Sequence, residues 1–315
     1  MFLSVICPVL NGEKYIKNNI LKFFVNSKPL DKELFIIDGG STDSTINIVK
    51  KWIKKYPNII LINNPHRYVP HALNLGIKRS SGEFIARLDV HTEYQIDYFE
   101  KCIEISKSIG ADNVGGTLIS CGISIAGKTN AYCMSSLFGV GNSIPRIKMF
   151  DGFVDSIAFG FWKKEVFEKY GNFDESLIKN QDEDHNFRIK ENGGKIYQSS
   201  LIETKYYVRE NIMGLIRQMF NYGLFKPQVL IKNISRFRIR YIIPTLFTIY
   251  MIICLFVSNY LLFFPLLMYL FVSFIFSFNN NKNIKIKILS MIVYPCMHIS
   301  YGLGFLIGLF NVRRS

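Results

Sequence analysis

Three short polar clusters stand just past apolar runs in the first two-thirds of the chain. They are Asp38-Gly39-Gly40-Ser41-Thr42-Asp43, Asp89-Val90-His91 and Gln181-Asp182-Glu183-Asp184-His185. A carboxylate ahead of a Gly-Gly turn, as at Asp38, can accept hydrogen bonds from a ribose or a base. Thr42 or Asp43 can instead satisfy free amides at the start of the following helix. In the second cluster, strand alternation would send Asp89 and His91 to one side, where both can ligate one divalent ion. A carboxylate with diphosphate oxygens suits magnesium or manganese, and the imidazole tilts the choice toward manganese. The competing reading is a strand-end acid beside a solvent-exposed His. In the third cluster the acids can simply complement the positive end of a helix. Alternatively one of them is a general base, its pKa raised by neighbouring carboxylates. His185 could be a further metal ligand, but a surface helix position is expected for it.

The elements that must position these groups follow an alternating pattern. Short apolar runs at 2–7, 34–37, 59–62 and 84–88 are separated by helical patterns at about 13–26, 43–55 and 70–79. Such spacing predicts βαβ units and a mainly parallel sheet. Ligands of such sheets bind beyond the carboxyl ends of the strands, and Asp38 and Asp89 directly follow Ile37 and Leu88. Arg67 and Arg87 are expected near the same crevice, suited to bidentate contact with phosphate. Further on, the pattern predicts a helix at 95–109 and a strand at 112–119. The Gly- and Ser-rich stretch 120–150 reads as a mobile cover or an ordinary long connection. A strand at 154–158 and helices at 163–169 and 182–192 complete the first part.

Charge divides the chain. Residues 1–210 hold 27 Lys/Arg against all 24 Asp/Glu, whereas residues 211–315 hold 11 Lys/Arg and no acid. The net charge of +14 therefore belongs largely to the tail and not to a basic folded surface, so no nucleic-acid partner is expected. Residues 242–278 carry no charge and can supply two spans, about 242–257 and 260–278, turning at Ser258-Asn259. A third apolar stretch at 288–310 contains Pro295, His298 and three glycines, and is either a span or a re-entrant segment. Arg236, Arg238 and Arg240, with the basic loop at Lys282, Lys285 and Lys287, favour a cytoplasmic catalytic part. Arg313-Arg314 would fall outside if the third stretch crossed fully. The six cysteines show no zinc spacing and read as small buried hydrophobes. The chain opens on a strand-like run, so no cleavable signal peptide is expected.

The ordered motifs carry a resemblance. Pro8-Val9-Leu10-Asn11-Gly12-Glu13, Asp38 to Asp43, Ala72-Leu73-Asn74-Leu75-Gly76, Gly82 to Asp89, Gly171 to Glu175 and Gln181-Asp182 together resemble family 2 glycosyltransferases with the GT-A fold. Asp89-Val90-His91 and Gln218 to Gly223, followed by membrane segments, look most like the succinoglycan-type glucosyltransferases of bacterial exopolysaccharide assembly. The resemblance covers roughly residues 1–230 and implies a GT-A catalytic domain at 1–230 and a membrane region at 231–315.

It also implies inverting transfer from a nucleoside-diphosphate sugar, a UDP-hexose first, to a lipid-linked saccharide at the cell membrane. Pro8, Asn11, Glu13, Asp38 and Asp43 would hold the nucleotide, and Arg67 or Arg87 the departing diphosphate. Asp89 and His91 would sit at a divalent cation, Mn2+ or Mg2+. Asp182 would act as base, with Glu183 and Asp184 as rivals, and Gln218 would lie near acceptor or diphosphate. Two departures stand out: Asp-x-His replaces the usual Asp-x-Asp, and no Arg-Trp follows Gln218, which argues against a processive synthase. One alternative is a transferase that loads polyprenyl phosphate directly. Another is a non-catalytic scaffold of an export complex, whose mark would be loss of the acids.

Overall fold

The structure is a computed structural model describing residues 2–29, 31–257, 263–279 and 283–312. It divides into two compact units. The first comprises Met1–Ile119 with Lys148–Tyr206, and the second comprises Ser120–Ile147 with Tyr207–Ser315. The boundary expected at 230 does not coincide with this division.

Among the described residues, nine strands form one sheet: β1 Leu3–Val9, β2 Lys32–Asp38, β3 Ile59–Asn63, β4 Phe84–Arg87, β5 Thr92–Tyr94, β6 Asn113–Cys121, β7 Gly152–Phe153, β8 Phe161–Lys163 and β9 Ile196–Tyr207. Their order is β3-β2-β1-β4-β8-β6-β9-β5, with β7 beside β9. The first four are parallel, built from the alternating runs read in the sequence. From β4 onward the pairings β4–β8, β6–β8, β5–β9 and β7–β9 are antiparallel, so the sheet is mixed and the parallel arrangement expected from sequence holds for its first four strands.

The parallel half is buried on both faces, as expected for strands covered by crossover helices. Val5, Cys7, Leu34, Ile36, Phe84 and Ala86 are among its core side chains. The helix Val69–Arg79 comes so close to β1 that a Cβ at Gly76 would stand 2.6 Å from Ile6 Cγ2. The segment after β1 begins at Glu13–Tyr15 and widens into a π-helix at Ile16–Lys22. Cys7 and Cys102 are fully buried, and burial pushes both thiols up.

Residues 154–158 are not a strand; the pairing stops at Phe153. The stretch 120–150 is not a structureless loop but carries helices Ile125–Met134, Leu137–Val140 and Ile144–Ile147. His185 is not at a surface position but fully buried.

In the second unit the helices Ile212–Leu230, Ile239–Cys254, Phe263–Phe278 and Ile284–Val312 pack on one another. Small residues allow the closest approaches: a Cβ at Gly304 would stand 2.1 Å from the Phe220 carbonyl, and one at Gly223 2.1 Å from the Tyr301 carbonyl. The first two apolar stretches form helices of only 16 residues each. The third is continuous through Pro295, and Ile284–Asn311 is long and apolar enough to cross a membrane. The expected turn at Ser258-Asn259, Lys282 and Arg313-Arg314 lie outside the described residues.

Candidate active site

β1 lies between β2 and β4, with Val9 opposite Asp38 and Ile6 opposite Arg87. The carboxyl ends of these strands therefore bring the 9–13 segment, the Asp38 turn and the Asp89 turn to one edge. Asp38 ends β2 and is 3% exposed. Its Oδ2 accepts the amides of Gly40 at 2.9 Å and Ser41 at 3.0 Å, which fixes the Gly-Gly turn. Its Oδ1 is buried without a hydrogen-bond partner. An unpaired buried acceptor is costly, so a donor from a ligand would restore what folding leaves unsatisfied.

The other polar residues of this edge hold the two loops together. Asn11, in the left-handed region at φ 52°, donates its amide to Ser41 Oγ at 2.8 Å and accepts the Thr42 amide at 2.8 Å. Asp43 accepts the Glu13 amide at 3.0 Å, while Glu13 accepts the Ser44 amide at 2.9 Å. Desolvation works to raise the Asp43 carboxyl, yet hydrogen bonds from the Thr45 hydroxyl and amide and from the Glu13 amide hold it below its usual value. Asn11, Glu13 and Asp43 thus shape the edge from which Asp38 offers its unused oxygen. Pro8 lies on β1 beside Ile37. Arg67, also left-handed at φ 65°, brings its guanidinium Nε to 3.8 Å from where a Cβ would sit on Gly40.

Strand β4 stops at Arg87, so Asp89 and His91 belong to a turn and the strand alternation expected for them does not apply. Asp89 Oδ1 accepts the His91 amide at 2.9 Å, and the Asp89 amide donates to the Tyr94 hydroxyl at 2.8 Å. Asn19 donates to the Val90 carbonyl at 3.1 Å from within the π-helix, and the Tyr15 and His91 rings lie 4.9 Å apart. Burial first, and then the charge of Asp89, push the Tyr94 hydroxyl well above its usual range. Arg87 is 8% exposed, and its Nε and one terminal nitrogen are buried without a partner.

Among the described residues, no group of three or more His, Cys, Asp and Glu side chains is gathered for a metal. Magnesium and manganese sites at transferred phosphates need only one or two protein ligands, the rest being phosphate oxygens and water. Asp89 with His91 fits that smaller donor set.

Helix Gln181–Glu191 follows Asn180, a left-handed residue at φ 63°. Asp182 and Glu183 are half-buried on its first turn. Asp184 and His185 are fully buried. Asp184 pairs with Arg188 at 3.0 Å, and Arg188 also donates to the carbonyls of Tyr170 and Asn172. That engagement gives Asp184 a structural partner that Asp182 and Glu183 do not share. Asn186 bonds to Asn113, Ser156 and the Ile157 carbonyl, fixing the helix to the sheet. Asn74 spans from helix Val69–Arg79 to the loop ahead of helix Gln181–Glu191, bonding the Phe173 carbonyl at 2.8 Å, the Phe173 amide at 3.0 Å and Glu175 at 2.9 Å. Asn19, Asn74 and Tyr94 were not singled out from sequence. Asn74 stood within a motif, but nothing in its spacing revealed its partners.

His185 stacks on Phe167 at 5.2 Å, and its Nε2 lies 3.1 Å from the Gly171 carbonyl. Burial first, and then the Arg188 charge, lower its pKa to about 3. An unfolded His titrates near 6.5, so as pH falls below that value the unfolded chain takes a proton that the folded chain refuses. The stability is fully present above about pH 6.5 and declines toward pH 3; at pH 5 the loss from this one group is about 2 kcal/mol. We expect denaturant unfolding at pH 7.5 and pH 5 to show that extra acid sensitivity in the native chain and not in His185→Phe. Equal acid sensitivity of the two would contradict a neutral His185.

Gln218 belongs to the second unit, on helix Ile212–Leu230, where its amide donates to the Tyr222 hydroxyl at 3.0 Å. The other candidate residues all lie in the first unit.

The chain is 27% identical to the succinoglycan biosynthesis protein ExoA of Rhizobium meliloti over 242 residues, 76% of this chain and 73% of that one. It is 28% identical over 272 residues, 83% of each chain, to a Methanococcus voltae protein named dolichyl N-acetyl-alpha-D-glucosaminyl phosphate 3-beta-D-2,3-diacetamido-2,3-dideoxy-beta-D-glucuronosyltransferase. Among solved structures, a mannosyltransferase from Pyrobaculum calidifontis, in complex with GDP-Man and Mn2+, shares the fold with a TM-score of 0.61 at 14% identity. The match covers 98% of this chain and 87% of that one. The model of Glycosyl transferase family 2 matches residues 4–171, which take in the Asp38 turn, the Asp89 turn and the loop up to Gly171; the chain belongs to this family and is a glycosyltransferase.

Proposed function

We propose that the enzyme moves a sugar from a nucleoside-diphosphate sugar, a UDP-hexose, to a lipid-linked saccharide in polysaccharide or lipid-linked glycan synthesis. The observation that carries the donor half is Asp38, a buried carboxylate with one oxygen committed to its own turn and the other unsatisfied at the carboxyl edge of a parallel sheet. Support for the acceptor half is the Methanococcus relative, whose name describes addition to a dolichyl phosphate sugar and which matches 83% of this chain. Such an acceptor favours a lipid-sugar over a bare polyprenyl phosphate.

In this reading Asp38 takes hydrogen bonds from the nucleoside, while Pro8, Asn11, Glu13 and Asp43 form the frame around it. Arg67 and Arg87 face the diphosphate as charge partners. A divalent ion held by Asp89 and His91 would neutralise charge on the departing diphosphate. Asp182 accepts the proton of the acceptor hydroxyl as that oxygen attacks the anomeric carbon from the face opposite the diphosphate. The bond from carbon to diphosphate breaks, and its electron pair leaves with the diphosphate, inverting the centre. The helix Ile284–Val312 would anchor the chain in the cell membrane, with the two shorter apolar helices as a hairpin. The arginines 236, 238 and 240 put the catalytic unit on the cytoplasmic side.

The metal assignment has its own test. With excess EDTA, transfer should fall to background and return with Mn2+ or Mg2+. Full activity in EDTA would remove Asp89 and His91 from the metal role.

A further inference from the structure

The second unit carries nearly all the net charge of the protein. Read from the sequence, it holds fourteen Lys/Arg and a single acid, Glu210. The Glu210 carboxylate is engaged by the Ile123 amide at 2.9 Å and by the Ser124 amide and hydroxyl, each at 2.8 Å. Within this unit lies a cavity of about 640 Å3. One part of its wall is polar: Lys128, the Ser120 hydroxyl and Tyr132, whose hydroxyl donates to the Phe276 carbonyl. Another part is apolar: Leu137, Phe276 and Ile286.

Two polar groups of the wall have no use inside the protein. Ser120 Oγ is buried without a hydrogen-bond partner. Lys128 is exposed to the cavity mouth and forms no ion pair among the described residues. Among the described residues no carboxylate lines the cavity. An exposed basic group without an ion pair beside a volume of ligand size selects an anion. The apolar side is made by Phe276 and Ile286, which belong to the two apolar helices Phe263–Phe278 and Ile284–Val312. Those helices carry Phe271, Phe274, Ile288 and Ile292 exposed. A purely hydrophilic anion would leave this side without contacts.

We propose that this cavity binds the phosphorylated head of the lipid-linked acceptor. Lys128 holds the phosphate, and Leu137, Phe276 and Ile286 hold the first carbons of the chain. The inference rests on the acceptor class given above and adds the residues that recognise it. A bulk anionic phospholipid offers similar chemistry, and the test separates the two.

Full-length protein in neutral phosphatidylcholine nanodiscs would be titrated with labelled farnesyl diphosphate, and separately with labelled farnesol. Lys128→Ala should weaken farnesyl diphosphate binding about tenfold, about 1.4 kcal/mol. It should leave farnesol binding unchanged, and Lys128→Arg should restore most of the affinity. Leu137→Trp, which fills the apolar end, should weaken both ligands. In transfer assays Lys128→Ala should raise the KM for the lipid acceptor and leave the donor KM unchanged. Unchanged farnesyl diphosphate binding in Lys128→Ala would overturn the proposal, as would equal competition by phosphatidylglycerol. Absence of any transfer to lipid by the native enzyme would sink the acceptor reading, while the binding titration still decides the cavity.

Discussion

Replacing Asp182 with Asn is expected to lower kcat by about 10²–10⁴-fold, the usual contribution of a positioned general base. Asn keeps the shape and the acceptor oxygen that Asp182 Oδ1 offers to the Glu183 amide at 3.0 Å, so the helix start stays intact. Donor affinity should therefore change little, because the nucleotide residues proposed here stand on other elements. Glu183, half-buried on the same turn, is the remaining rival. Glu183→Gln should cost less than tenfold; a larger loss there than in Asp182→Asn would transfer the base role to Glu183.

The adjacent Asp184 is expected to behave in the opposite way. Its side chain is 1% exposed and pairs with Arg188, which in turn ties the carbonyls of Tyr170 and Asn172 to the helix. Removing one partner of a buried pair leaves the other uncompensated, which costs roughly 3–5 kcal/mol. Arg188 is 23% exposed and keeps its two carbonyl acceptors, so Asp184→Ala should fall near the lower end, about 3 kcal/mol. Denaturant unfolding would show that loss, and the fraction that remains folded should retain donor binding. A stable Asp184→Ala protein without activity would instead return Asp184 to the chemistry.

The contrast between these neighbours marks what the sequence could and could not disclose. Three acids and one imidazole in a row fix no facing on their own. Facing depends on Gly171, Tyr170 and Asn172 meeting His185 and Arg188, from which they lie 14 to 18 residues away. The parallel half was legible because β1 to β4 are short runs of buried aliphatic and aromatic residues between turn formers. Asp38 was legible because a Gly-Gly turn directly follows a strand end. Strand β9 was not, because polar Gln198, Ser199 and Thr204 occupy buried positions. Their partners are remote: Gln198 donates to the Lys148 carbonyl, Ser199 to Asp151, and Thr204 to the Thr117 carbonyl. Helix Ile125–Met134 was hidden in the same manner. Its buried Thr129 bonds the Ile125 carbonyl, and Asn130 bonds the Arg209 carbonyl, so the polar pattern resembled a loop. The Asp89 turn was misread as strand because Tyr94 and Asn19, which hold it, stand apart from the motif.

Most of the site frame follows from one arrangement. Two loops at the ends of β1 and β2 satisfy each other through Asn11, Glu13 and Asp43, and leave Asp38 Oδ1 with no partner of its own. A ligand rich in donors, as a nucleoside is, complements that surface. Arg87 adds buried guanidinium nitrogens without partners at the same sheet edge, which complements an anion.

The most direct measurement is transfer itself. Membranes containing the protein would be incubated with radiolabelled nucleotide sugars, UDP-glucose first, and the lipid fraction extracted and counted. Label is expected in lipid, dependent on the native enzyme and lost in Asp182→Asn. No label from any donor, together with no nucleotide binding by the native protein, would contradict it and favour a scaffold over a catalyst.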